Sequence, residues 1–190
     1  LGMTAGFTVL TAQKFGAGDM KAMRQTVGSA ALLGIMMSVI LTVVGMLGMR
    51  PLLTFMQTPD DIFRDAYAYI MVICAGIGAQ MLYNLLSSVL RALGNSKVPL
   101  YFLILAALLN IVLDMVFIIV FHMGAAGAAW ATIVSQGISG LLCLVYIVKA
   151  VPVLHLNKED WKPNPHLLKI QLSVGLPMAL QYSITAIGTM

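Results

Sequence analysis

Four long apolar runs dominate this sequence and limit what it can fold into. They cover residues 25–49, 66–90, 98–121 and 125–148. The third run contains one acidic residue, Asp114, and the others contain no charge. About 20 apolar residues are enough for a helix to cross the roughly 30 Å hydrocarbon core of a bilayer. Because the runs lack the two-residue alternation of barrel strands, they predict four complete membrane-spanning helices.

Composition excludes a water-soluble globule. The 190 residues are 60% hydrophobic and only 9% charged, whereas about a quarter of the residues of a soluble domain are charged. Two shorter apolar stretches, residues 1–13 and 168–190, predict partial helices at the two ends. We therefore expect an all-α polytopic transmembrane helix bundle that lies in the lipid bilayer, and we expect the chain to be a fragment.

The basic residues predict the orientation of the bundle. Nine of the eleven lysines and arginines lie in the segments 14–24, 91–97 and 149–169, and the alternate loops contain only Arg50 and Arg64. Loops rich in lysine and arginine stay on the cytoplasmic side. The loops 14–24, 91–97 and 149–167 are thus predicted to be cytoplasmic, in the plasma (inner) membrane. The basic residues form no continuous patch, so we expect no nucleic-acid partner.

The joints between the runs divide the chain into three parts. Residues 1–150 are predicted to form an amino-terminal transmembrane lobe, 151–167 a cytoplasmic connector, and 168–190 the first helix of a second lobe. Two joints carry helix-start signals: Asp19 as an N-cap, and Thr58 as an N-cap followed by Pro59 in the first helical position.

Asp114 is the most informative residue, because it is an ionisable group deep inside a span. A charged carboxylate there costs roughly 2.5–3.5 kcal/mol on insertion scales, so such residues usually face protein or a water-filled cavity. Asn110 lies one helical turn earlier on the same face. If Met123 is the centre of the following hairpin, equal residue counts place Asp114 level with Thr132, and Asn110 level with Gln136.

The predicted cluster of oxygens suits two ligands. Burial makes the charged carboxylate costly, so Asp114 could take up and release a proton. Alternatively, the hard oxygens of Asp114, Asn110 and Thr132 could coordinate a sodium ion. A neutral, hydrogen-bonded structural aspartate is a third possibility. We expect no cofactor beyond a coupling ion, H⁺ or Na⁺, and no other metal.

Several segments of the sequence together resemble the multidrug and toxic compound extrusion (MATE) family. The strongest resemblance lies in residues 90–97 (LRALGNSK), 109–114 (LNIVLD) and 123–132 (MGAAGAAWAT). Residues 12–19 and 175–177 resemble two further parts of the family pattern. The resemblance implies an amino-terminal lobe plus the start of the second, equivalent to helices two to seven of the twelve in the family.

The resemblance also implies roles for particular residues. Asn110, Asp114 and Thr132 match the amino-lobe ion or proton site of the DinF-like branch, and Asn84 matches a cavity position. The first family helix, which carries another aspartate of that site, is missing from this sequence. Thr185 stands where the NorM-like branch has a glutamate, so coupling is predicted to depend on the amino-lobe site.

Three more polar residues are candidates for a substrate cavity. Gln80, Tyr83 and Gln136, together with Asn84, either line that cavity or bond to neighbouring helices. The sequence does not choose between these two roles.

The predicted function is secondary active efflux of organic cations or other amphipathic small molecules by proton- or sodium-coupled antiport with alternating access. The protein would then be a transporter and not an enzyme, and it would act together with the remainder of its own chain. Two alternatives are a lipid-linked oligosaccharide flippase of the same superfamily and a non-transporting membrane subunit.

Overall fold

A computed structural model describes residues 2–57, 59–157, 160–161 and 164–188, apart from the side chains of residues 60, 61, 186 and 187. In this part of the chain all regular structure is helical, which confirms the predicted all-α bundle. The α-helices are α1 (Gly2–Gly16), α2 (Met20–Phe55), α3 (Asp60–Ala75), α4 (Ile77–Ala92), α5 (Lys97–Met115), α6 (Gly124–Ala150) and α7 (Pro165–Gly188). A π-helical turn at Val116–Val120 extends α5, and a 3₁₀ turn at Pro152–Leu154 follows α6.

The membrane-length helices match the predicted apolar runs, with one correction. Helix α2, helix α5 with its π-helical turn, and helix α6 are long and apolar enough to cross a membrane. Residues 66–90 were predicted to form one continuous helix, and this prediction is wrong. They belong to α3 and α4, whose axes differ by 45°. Counted as one bent span, this pair supplies the fourth predicted crossing.

Gly76 lies at the bend between α3 and α4. A Cβ atom at Gly76 would overlap the side chain of Ile133 on α6, so only glycine fits at this close approach. The hydroxyl group of Thr42 on α2 donates a hydrogen bond to the carbonyl oxygen of Cys74 at 3.0 Å. Because no water is available in the hydrocarbon core, a side chain from a neighbouring helix stabilises the interrupted backbone there.

The helix ends agree in part with the predicted start signals. Asp19 is the N-cap of α2, and its carboxylate accepts a hydrogen bond from the Ala22 backbone at 3.0 Å. Thr58 lies outside the described residues. Pro59 itself precedes the first residue of α3, one position earlier than predicted.

The core lies where α1, α2, α4 and α6 meet. Its buried members include Phe7, Met23, Leu33, Val89 and Cys143. Helix α7 packs against α1 and α2. A Cβ atom at Gly6 of α1 would lie only 2.5 Å from the Cα atom of Gly175 of α7, so these two backbones are nearly in contact.

The segment after α6 folds back onto the start of α2. Asp160 is 4% exposed, and its carboxylate lies 3.6 Å from Nε of Arg24. It also accepts a hydrogen bond from the backbone of Asn157 at 2.9 Å. This segment therefore lies at the same end of the bundle as the start of α2. The assignment of α7 to a second lobe, with 151–167 as connector, stays a prediction.

Candidate functional site

Asp114 lies on the last turn of α5, directly before the π-helical turn, and its side chain is half-buried. Its Oδ1 atom is buried and has no hydrogen-bond partner among the described residues. A buried polar atom without a partner carries a free-energy cost of about 1–3 kcal/mol, and more if it is charged. Such a group marks a place where a proton, an ion or a water molecule would be favourable.

Asn110 and Thr132 meet beside this carboxylate-bearing turn. Nδ2 of Asn110 donates a hydrogen bond to Oγ1 of Thr132 at 3.4 Å, across the interface between α5 and α6. The Thr132 hydroxyl donates in turn to the carbonyl oxygen of Ala128 at 3.0 Å. The amide oxygen of Asn110 and a lone pair of Thr132 therefore remain available as acceptors.

The register of the α5–α6 hairpin differs from the predicted one. Equal counts from Met123 placed Thr132 level with Asp114. The observed hydrogen bond instead joins Thr132 to Asn110, which lies one turn before Asp114 on α5. The π-helical turn accounts for part of the difference: its i to i+5 hydrogen bonds put more residues into each turn, so the α5 arm needs about one more residue to reach the same height. Within the part of the chain that the structure describes, no hydrogen bond joins Asp114 to Thr132 or Asn110.

The arrangement offers one proton acceptor and a small set of hard oxygens. Protonation needs only the free Oδ1 atom of Asp114. A sodium ion would need several oxygens, and Asp114, Asn110 and Thr132 are suitable donors for a hard cation. Among the described residues no group of three or more His, Cys, Asp or Glu side chains is arranged to hold a metal ion.

Gln80 and Gln136 lie near this site. Together with Thr132 they line a cavity of about 30 Å³ that borders the bend at Gly76. Oε1 of Gln136 is buried and also lacks a partner within the described segments. The cavity has room for about two water molecules, given that one water needs about 10–15 Å³ of this kind of volume. Thr132 thus lies both in the contact with Asn110 and in the wall of a cavity that reaches Gln80 on α4.

Tyr83 and Asn84 do not line this small cavity. Tyr83 is buried, and its hydroxyl group donates a hydrogen bond to the carbonyl oxygen of Pro99 at 3.0 Å. Tyr83 thus has the second of the two roles considered above, a bond to a neighbouring helix. Asn84 is half-buried on α4, and its place in a substrate cavity stays a prediction.

Two features of the site were missed in the sequence. The bend at Gly76 had a visible signal, since Gly76 and Gly78 are spaced closely within an apolar run, and paired small residues commonly mark breaks in a span. The π-helical turn at Val116–Val120 had none, because its five residues are all ordinary apolar residues. Turns of this kind are frequent at functional sites.

The helices and the intramembrane carboxylate define the class of this protein. Several helices of membrane length and an ionisable residue inside one of the spans are typical of a polytopic membrane protein with a polar site within the bilayer. The MatE family model matches residues 1–116. The chain belongs to the MatE family, which confirms the resemblance found in the sequence.

Two proteins named for multidrug resistance are similar to almost the whole of this chain. The chain is 38% identical over 176 residues to "Probable multidrug resistance protein YpnP" of Bacillus subtilis, covering 92% of this chain and 39% of that protein. It is 30% identical over 191 residues to "Probable multidrug resistance protein NorM" of Thermotoga maritima, covering 97% of this chain and 40% of that protein. The chain thus spans about two fifths of the length of these relatives.

Solved structures share the fold. An outward-facing multidrug resistance MATE transporter of the MOP superfamily matches with a TM-score of 0.90 and 26% identity, covering 99% of this chain and 42% of that one. An inward-facing structure of such a transporter matches with a TM-score of 0.88 and 27% identity, covering 94% of this chain and 41% of that one.

Proposed function

We propose that the protein containing this chain exports organic cations and other amphipathic toxic compounds in exchange for protons or sodium ions. The support is membership of the MatE family, together with relatives whose names describe multidrug resistance. Transport would proceed by alternating access, as the similar transporters with inward-facing and outward-facing structures suggest. The remainder of the polypeptide would supply the other side of the pathway.

The observation that carries this proposal is the unpartnered Oδ1 atom of Asp114 beside the Asn110–Thr132 hydrogen bond. In the ion-free state, a carboxylate in this apolar span is poorly solvated. Binding of a proton or a sodium ion neutralises it, and a cationic substrate competes for the same negative charge. Each ligand would favour the conformation in which it binds more tightly, and this difference in affinity would couple the two fluxes.

The test is Asp114→Asn in the full-length protein, which replaces the carboxylate by an amide of the same shape. We expect normal membrane insertion and a loss of gradient-driven dye efflux of at least about tenfold, because the side chain can no longer change charge. Asp65→Asn is the matched control, since Asp65 is exposed on α3. Wild-type efflux by the Asp114 variant would refute the proposal.

The same assay assigns the coupling ion. Efflux from vesicles with a proton gradient alone and with a sodium gradient alone separates the two forms of the proposal. A sodium-coupled protein would also lose sodium dependence in Asn110→Ala and Thr132→Ala, because both remove oxygen ligands. A proton-coupled protein would keep coupling in these two variants.

We further propose a plasma-membrane location with residues 14–24, 91–97 and 149–167 on the cytoplasmic side. The contact between Arg24 and Asp160 supports a common side for the first and last of these segments. Labelling of single cysteines introduced at Gly18 and at Met123, from outside intact cells, tests the orientation. Only the cysteine at position 123 should react, and the reverse pattern would overturn it.

A further inference from the structure

A large apolar groove lies between α2, α4 and α6, apart from the Asp114 site. Its volume is about 810 Å³, and the walls include Val27 and Ile35 of α2, Leu85 and Val89 of α4, and Val148 of α6. Asp114, Asn110 and Thr132 do not line it. Ile35 is 58% exposed and Val148 is 56% exposed, so the groove opens on the outer surface of the bundle.

The length of the groove matches one leaflet of a bilayer. Its α2 wall runs from Val27 to Ser38 and its α4 wall from Gly78 to Val89. Eleven steps of about 1.5 Å give a length of roughly 16 Å for each wall. One leaflet contributes half of the roughly 30 Å hydrocarbon core. The walls are therefore long enough for an extended acyl chain to lie along them.

One end of the groove is closed by polar groups of the segment after α6. His155 and Trp161 line this end. Nε2 of His155 donates a hydrogen bond to the carbonyl oxygen of Val148 at 2.6 Å, which holds the segment against α6. Trp161 is 42% exposed, and partly exposed tryptophans are typical of the level of the lipid headgroups.

The charge around this end is positive. Lys149 is exposed and directly follows the wall residue Val148. Asp160, an acidic residue of the segment after α6, is paired with Arg24, so its charge is compensated. Basic groups beside a gap between spans attract anionic headgroups and repel the cationic compounds proposed as transport substrates.

We propose that this groove binds an anionic phospholipid. One acyl chain lies along α2, α4 and α6, and the phosphate group lies at the end lined by His155 and Trp161, near the exposed Lys149. The site does not depend on the transport cycle proposed above. Occupancy of the groove beside α4 would then depend on the anionic lipid content of the inner leaflet.

The first experiment blocks the groove in the purified full-length protein. Ile35→Trp adds bulk at an exposed wall position. Val44→Trp is the matched control, because Val44 is 61% exposed on the same helix but does not line the groove. Native mass spectrometry during titration with phosphatidylglycerol measures retention. For Ile35→Trp we expect an affinity for phosphatidylglycerol at least about tenfold lower than that of the wild type. This corresponds to the lost burial of about two methylene groups of the acyl chain. Val44→Trp should leave the affinity unchanged.

The second experiment tests the headgroup. Lys149→Gln should weaken binding of phosphatidylglycerol about fivefold and leave binding of zwitterionic phosphatidylcholine unchanged. Lys14→Gln is the control, since Lys14 lies on α1, which contributes no wall residue. Wild-type protein should prefer phosphatidylglycerol over phosphatidylcholine.

Three results would overturn the proposal. The first is an equal effect of Ile35→Trp and Val44→Trp. The second is equal affinity of the wild-type protein for the two lipids. The third concerns a photoreactive benzophenone at position 35: it should cross-link to lipid, and a cross-link to a segment of the polypeptide outside residues 1–190 would show that protein fills the groove instead.

Discussion

Two regions of this bundle differ sharply in how they are packed. Where α1, α2 and α7 meet, the backbones of Gly6 and Gly175 nearly touch, and Gln171 is fully buried. Helix α5 is the opposite case. Of the most apolar 18-residue stretch in the span Lys97–Val120, only 6% is buried, compared with 28% for the same length of α2 and 33% for α6.

The difference separates a closely packed region from a helix with few buried residues among the described ones. In the tight region, Nε2 of Gln171 donates hydrogen bonds to the carbonyl oxygens of Thr26 at 2.9 Å and Phe7 at 3.4 Å, so one side chain joins three helices. The proposed ion site, by contrast, lies on the least covered helix.

The largest expected effect lies in the tight region. Gly6→Leu places a side chain where the backbone of α7 already lies, so the helices must separate or distort. We expect a loss of about 3 kcal/mol in the free energy of unfolding, measured by thermal unfolding of the purified full-length protein. Gly48→Ala is the control, since no atom lies within 4 Å of a Cβ there. Similar melting temperatures for both variants would contradict the close contact.

Removal of the three-helix link should have the next largest effect. Gln171→Met keeps the length of the side chain but cannot donate to Thr26 or Phe7. The expected loss is about 1.5 kcal/mol, because buried acceptors lose a partner. Gln181→Met, at an exposed position on the same helix, serves as its comparison. If the two glutamine variants unfold at the same temperature, the link adds nothing to stability.

A smaller effect is expected where α5 is attached to α4. Tyr83→Phe removes the hydroxyl group that donates to Pro99 and keeps the buried ring. We expect a loss of about 1 kcal/mol, together with faster hydrogen exchange at the start of α5. Tyr101→Phe is the control because Tyr101 is 65% exposed. Unchanged exchange in Tyr83→Phe would show that this bond does not anchor α5.

The smallest effect concerns the proposed ion site. A double-mutant cycle of Asn110→Ala and Thr132→Ala measures the energy of their hydrogen bond. The bond is part-buried and 3.4 Å long, and it joins α5 to α6. For such a bond between membrane helices, a coupling energy of about 0.6 kcal/mol is expected. A coupling several times larger would place α5 among the tightly held elements and remove the contrast between the two regions.

The sequence was sufficient for the helical class and the approximate spans. Run length and missing charge decide whether a segment can cross a bilayer, and both are local properties of the chain. The cap at Asp19 was predictable for the same reason. The close approach at the bend was not, because it depends on Ile133, a residue of another helix that occupies the space beside Gly76.

The candidate site was only partly accessible from the sequence. The spacing of Asn110 and Asp114 follows from helix geometry, and the choice of Thr132 as a neighbour came from counting along a hairpin. The count failed by one turn, and part of this error comes from a π-helical turn of ordinary apolar residues, which changes the rise per residue. The functional roles of Asp114, Asn110 and Thr132 remain predictions, which the efflux assays address.

The pairing of α1 with α7 has a consequence for biosynthesis. The two helices that touch most closely are separated by almost the whole of this chain: Gln171 reaches the backbone of Phe7 across 164 positions. At roughly 5–20 residues per second, a ribosome needs about 10–30 s to make the intervening polypeptide. Throughout that interval Gly6 and the carbonyl oxygen of Phe7 lack their neighbours on α7. Until α7 is made, α1 can pack only against helices that are made before it, α2 and α4 among them.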